Sequence, residues 1–95
     1  QIDLLLENHE TVAVVEIKTK PRMENVEEQI KRIQVYCRER QKRGEKQKKV
    51  IGALAGVIFP SNVKTATLKA GLFVITQSGD TVKIDVPENF KPRMF

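Results

Sequence analysis

Thr11-Val12-Ala13-Val14-Val15-Glu16-Ile17-Lys18 is the stretch from which the rest of the chain can be ordered. Its β-branched residues read as a strand. Side chains alternate across a strand, so one face carries Val12, Val14, Glu16 and Lys18 and the other Ala13, Val15 and Ile17. Two opposite charges therefore sit about 6.5 to 7 Å apart on an otherwise apolar face. An ion pair exposed at a strand end contributes little. The apolar residues that precede Glu16 argue that it is more than that.

Towards the N-terminus, Gln1 to Glu7 reads as a short apolar strand interrupted by Asp3, and Asn8-His9-Glu10 as a turn. Two strands joined by so short a loop pair antiparallel. For a tight turn centred between Asn8 and Glu10, the residue opposite Asp3 is 14, 15 or 16. The Asp3 carboxylate is thus expected beside Glu16, with Lys18 close by.

Towards the C-terminus, Pro21 stops strand propagation, and Asn25 with Glu28 three residues later has the pattern of a helix N-cap and its reciprocal glutamate. Val26, Ile30, Ile33 and Cys37 form one apolar face, which predicts a helix over Val26 to Gln41. Val50 to Phe59, with Gly52 and Gly56, reads as a strand buried on both faces. Strand, helix and buried strand make a right-handed crossover to a parallel neighbour. Pro60-Ser61-Asn62 opens a short helix to about Ala70, closed by Gly71, and Leu72 to Thr76 and Thr81 to Val86 flank the turn Ser78-Gly79-Asp80. These last two segments are either a hairpin or an internal strand with an edge partner. The tail from Pro87 is expected to be irregular. The predicted fold class is α/β, a central mixed β-sheet flanked by helices. Residues 1–95 form one domain, with a motif-bearing core in 1–59 and a helix and strands in 60–95 that complete the sheet.

Composition narrows the function. Ninety-five residues with 40% hydrophobic and 31% charged side chains suit one globular domain, and no apolar run is long enough to span a membrane. The absence of a signal-like start makes a cytoplasmic location the expectation. One cysteine, Cys37, and one histidine, His9, exclude an internal disulfide, a zinc finger and Cys/His catalysis. Of seventeen Lys and Arg, seven lie in one segment: Arg38, Arg40, Lys42, Arg43, Lys46, Lys48 and Lys49, against Glu39 and Glu45. The remaining ten basic residues are matched by ten acids. So localised an excess is what a polyanion-binding surface needs. Gly52 and Gly56 lack the Lys-Ser/Thr ending of a phosphate loop and are expected to permit close helix packing.

Two carboxylates in a low-dielectric site repel unless a cation compensates them, and hard oxygens suit Mg²⁺ or Mn²⁺. Such an ion, with a lysine beside it, is a means of hydrolysing a phosphodiester. Ile2-Asp3, a twelve-residue interval and Glu16-Ile17-Lys18, on consecutive antiparallel strands followed by a helix and a parallel strand, resembles the bipartite signature of the PD-(D/E)XK, or restriction-endonuclease-like, nuclease superfamily. The resemblance covers about Gln1 to Phe59. It implies that Asp3 and Glu16 bind the metal together with the Ile17 carbonyl, and that Lys18 is the catalytic lysine. It further implies accessory roles for Gln29 and Tyr36 on the following helix. Members usually begin with a helix and a strand before the first acid. The core expected here lacks that N-terminal helix, which an upstream segment or another chain then supplies unless the chain is a reduced, inactive relative.

The resulting expectation is Mg²⁺- or Mn²⁺-dependent cleavage of DNA, in preference to RNA, with low sequence specificity. Lys20, Arg38, Arg40, Lys42, Arg43, Lys46, Lys48 and Lys49 would contact backbone phosphates, and a homodimer is one way to cut two strands. Two alternatives stay open. One is an inactive nuclease-fold module that binds nucleic acid or a protein. The other is a small α/β RNA-binding or interaction domain in which the motif is coincidental; it expects Glu16 exposed on an edge strand.

Overall fold

A computed structural model describes residues 2–95 as a five-stranded mixed sheet with two helices. Gln1, which the sequence reading assigned to the first strand, lies outside the described residues. Strands β1 (Leu4–Glu7) and β2 (Thr11–Lys18) form an antiparallel hairpin, whose turn is held by the Asn8 side chain accepting the Glu10 and Thr11 N–H groups. Helix α1 (Met23–Lys42) returns the chain to β3 (Lys49–Gly56), parallel to β2, and helix α2 (Ser61–Lys69) returns it to β4 (Phe73–Ser78), parallel to β3. Strand β5 (Thr81–Ile84) pairs antiparallel with β4, and the spatial order is the sequence order. No helix among the described residues is long and apolar enough to cross a membrane.

The expected N-cap shifts. Helix α1 begins three residues earlier than the apolar stripe, with Arg22 as N-cap; Asn25 bonds back from the first turn, its Oδ1 accepting the Arg22 N–H at 2.7 Å. Asn25 thus fills the reciprocal position that a glutamate usually takes. The other end closes as the glycine pattern requires: Gly44, at φ 68°, donates to Gln41, and Glu45 donates to Arg40.

Both helices pack on the same face of the sheet. Val26 and Ile33 from α1 and Val63 from α2 meet Val12, Val14, Val50, Leu54 and Leu72 in one core. Gly52 makes this approach feasible, because a Cβ there would lie 2.3 Å from Ile33 Cδ1 and 2.7 Å from Leu72 Cδ2. The opposite face is open. Leu4, Leu6, Ile17, Val57, Val82 and Ile84 are exposed there, so β3 is buried fully on the helix side and only in part on the other, less than its continuous apolar run suggested. The tail is irregular but anchored: Phe90 packs edge-on to Phe73, the Arg93 N–H donates to Gly71 O and the Phe95 N–H to Val50 O.

Candidate functional site

The β1–β2 ladder ends with Leu4 opposite Val15, and the same register extended one step beyond the strand would set Asp3 opposite Glu16. Of the three registers open to the sequence, this is the one that brings the two acids closest. The ladder itself stops at Leu4, leaving the Ile17 N–H on that edge without a strand carbonyl. Asp3 supplies the acceptor, its Oδ2 taking the Ile17 N–H at 2.9 Å. A strand residue projects its N–H and C=O to the same edge, so the Ile17 carbonyl shares the edge on which Asp3 sits.

Glu16 faces the helices on an interior strand and is 3% exposed. The coincidental-motif reading expected it exposed on an edge. Its carboxylate is compensated twice: Lys18 Nζ lies 3.2 Å from Oε2, and Arg32 Nη1 lies 2.9 Å from the same oxygen. Lys18 reaches it from two residues along the strand, and Arg32 descends from α1. The Arg32 contact is one of charge rather than alignment, since Nη1 is buried and makes no hydrogen bond. A buried carboxylate without such cations would be strongly disfavoured.

Gln29 is 1% exposed, and its Nε2 donates to Val14 O and Ala53 O, both at 3.0 Å. It therefore pins α1 across β2 and β3, one turn before Arg32, and its donors are spent on the backbone. Tyr36, two turns beyond Gln29, is placed elsewhere: its hydroxyl accepts from Arg40 Nη1 at 3.3 Å.

The basic segment lies at the other end of the sheet. Lys49 pairs with Thr11, whereas Lys18 pairs with Gly56, and the eight residues of β2 between them span about 23 Å. Three of its cations are committed internally. Arg40 is 7% exposed, bonded to Glu45 Oε1 at 3.1 Å and to Lys46 O at 2.6 Å, with Glu7 at 3.6 Å. Arg43 pairs with Glu45. Lys48 holds Glu7 at 2.7 Å and Asn8 O at 2.6 Å, which keeps the Glu7 carboxyl below its ordinary pKa. Arg38, Lys42, Lys46 and Lys49 are exposed and make no ion pair among the described residues. Lys20 is exposed at the Glu16 end. Burial pushes the Cys37 thiol up, against a reactive role.

Arg32 is the site residue that the sequence reading missed. Its position three after Gln29, flanking the stripe of Val26 and Ile33, was the available signal. Among the described residues no cluster of three or more His, Cys, Asp or Glu surrounds a point. The donors at this end are the exposed Asp3 carboxylate, the buried Glu16 carboxylate and the Ile17 carbonyl edge, hard oxygens of the kind a cation of the Mg²⁺ class takes. Comparison with protein-family models, curated proteins and solved structures gave no match.

Proposed function

We propose that this chain is a restriction-endonuclease-like domain that hydrolyses phosphodiester bonds in DNA with Mg²⁺ or Mn²⁺. The observation that carries the reading is that Asp3, bonded to the Ile17 N–H, lies beside the strand position next to Glu16, with Lys18 held 3.2 Å from Glu16. Asp3, Glu16 and the Ile17 carbonyl would hold the cation. When bound, a divalent ion supplies charge neutralisation for a phosphate oxygen and acidifies water. Asp3 is oriented by the Ile17 N–H, so its carboxylate is set before any ligand arrives. Lys18, partly exposed at the strand end, can turn from Glu16 to a phosphate oxygen and stabilise the charge that develops there. Lys20 lies on the same approach. The exposed cations Arg38, Lys42, Lys46 and Lys49 are about a β2 length away, a separation suited to phosphates farther along a duplex rather than to the reacting one.

Incubation of supercoiled plasmid and branched DNA with Mg²⁺ or Mn²⁺ tests this. The wild type is expected to cut, Glu16→Gln to lose both cation binding and cutting, and Lys18→Ala to bind the cation and fail to cut by about a hundredfold or more. Cutting that persists unchanged in Glu16→Gln would sink the reading. One observation favours a second reading, an inactive nuclease-fold module that holds nucleic acid: Glu16 already carries two cations. That reading expects DNA retention that Glu16→Gln leaves unaltered, and no response to a divalent ion.

A further inference from the structure

The Glu16 carboxylate meets more positive charge than it needs. Lys18 alone would neutralise it, yet Arg32 stands nearer, at 2.9 Å against 3.2 Å. With Asp3 beside them, the four groups sum to zero formal charge. A divalent ion entering between Asp3 and Glu16 raises that sum to +2 and brings a double charge to the carboxylate whose Oε2 Arg32 already holds. Like charges held to one buried carboxylate repel, although Asp3 is exposed and Lys18 and Arg32 are each about a third exposed to screening water.

Arg32 is also the partner built to leave. Its Nη1 makes no hydrogen bond despite being buried, so withdrawal breaks no aligned bond. About a third of the side chain is exposed, which gives the guanidinium a route to water. Gln29, one turn earlier, anchors the helix through two backbone carbonyls, so Arg32 can swing without α1 moving.

We infer that Arg32 is an internal counter-ion to Glu16, occupying the carboxylate until a divalent cation displaces it and thereby setting how tightly that cation binds. The inference rests on the reading of Asp3 and Glu16 as cation ligands. Arg32 is a positioning residue here, acting through Glu16.

Calorimetry with Mn²⁺ on the full chain, at one ionic strength, tests it with Arg32→Gln and Arg32→Lys. Arg32→Gln is expected to bind Mn²⁺ at least about fivefold more tightly than the wild type, because a repelling charge is gone. Arg32→Lys keeps the charge and is expected to stay within about twofold. Without metal, Arg32→Gln should melt lower than the wild type and gain more on adding Mn²⁺. A wild type that binds nothing measurable beside an Arg32→Gln variant that binds also supports the inference. Equal or weaker binding by Arg32→Gln overturns it and leaves the cation site standing, whereas no binding by either protein removes both. Should Arg32→Gln not fold, the wild type is titrated with Mg²⁺ while the Arg32 Nε–Hε resonance is followed, assigned by its loss in Arg32→Lys. Displacement predicts a shift that saturates with the ion; an unmoved resonance at saturating Mg²⁺ refutes it.

Discussion

Glu16 and Arg40 are both buried charges, one at each end of the β2 and α1 layer, and they are solved differently. Arg40 is clasped: Lys46 O, Glu45 Oε1 and the Tyr36 hydroxyl each accept from it, and the Tyr36 ring lies 5.8 Å from its guanidinium carbon. Glu16 is compensated in charge, yet Arg32 Nη1 beside it makes no hydrogen bond. Burial of a charge therefore does not mark a site by itself. A finished hydrogen-bond set marks a structural clasp, and compensation without alignment leaves groups free to exchange partners.

The comparison breaks if the two sites respond alike to truncation. Arg40→Met is expected to cost about 2 kcal/mol in urea unfolding, because Lys46 O and Tyr36 lose a buried charged donor and the connection after Gly44 loses its tie to α1. It should leave Mn²⁺ binding unchanged. Glu16→Gln is expected to cost less than Arg40→Met, since Lys18 and Arg32 are each about a third exposed and can return to water. Should Glu16→Gln prove the more destabilising, Glu16 would be the clasp.

Gln29 sharpens the contrast by lying between the two. Gln29→Leu keeps the apolar bulk but removes both Nε2 donors, leaving Val14 O and Ala53 O without that partner, for an expected loss of about 1 to 2 kcal/mol. Because the same bonds set the height of α1 over β2, Arg32 should lose its register with Glu16. The measurement is cation affinity beside unfolding: a stability loss with unaltered affinity would show that Gln29 fixes the helix without setting Arg32.

How much of this was legible follows from distance along the chain. The hairpin register, which carries Asp3 towards the Glu16 end of β2, was readable because a short turn limits the hairpin to a few registers. The crossover from β2 through α1 to β3 was readable because period-two and helical patterns follow one another without ambiguity. Arg40 was not, because it looks like any cation in a basic run until Gly44 turns the chain and delivers Glu45 and Lys46 back to it. Lys48 was hidden more thoroughly, since its partner Glu7 is 41 residues away and on a different strand. Arg32 was hidden for a third reason: a charged residue on the flank of an apolar stripe has the same pattern whether it meets water or a buried carboxylate. The continuous apolar run of β3 also overstated its cover, because helices reach only one of its faces.

The smallest expected effect lies in the acid limb of stability, and it belongs to the clasp. Lys48, by hydrogen bond and by charge, holds the Glu7 carboxyl below its ordinary value, with a further contribution from Arg40. A carboxyl whose folded pKa is depressed contributes stability that is fully present above its unfolded pKa and is lost as pH falls through the folded one. Asp85, held down by Lys64, adds to the same limb. Glu7→Gln removes one of these two groups, so the fall in unfolding midpoint between neutral solution and the lower carboxylate range should become shallower, with no change above neutrality in its slope. Glu7 is solvent-exposed, so screening by salt should shrink the difference. An acid limb as steep in Glu7→Gln as in the wild type would mean that Lys48 is held by Asn8 O alone, and that the contact between β1 and the approach to β3 is a neutral one.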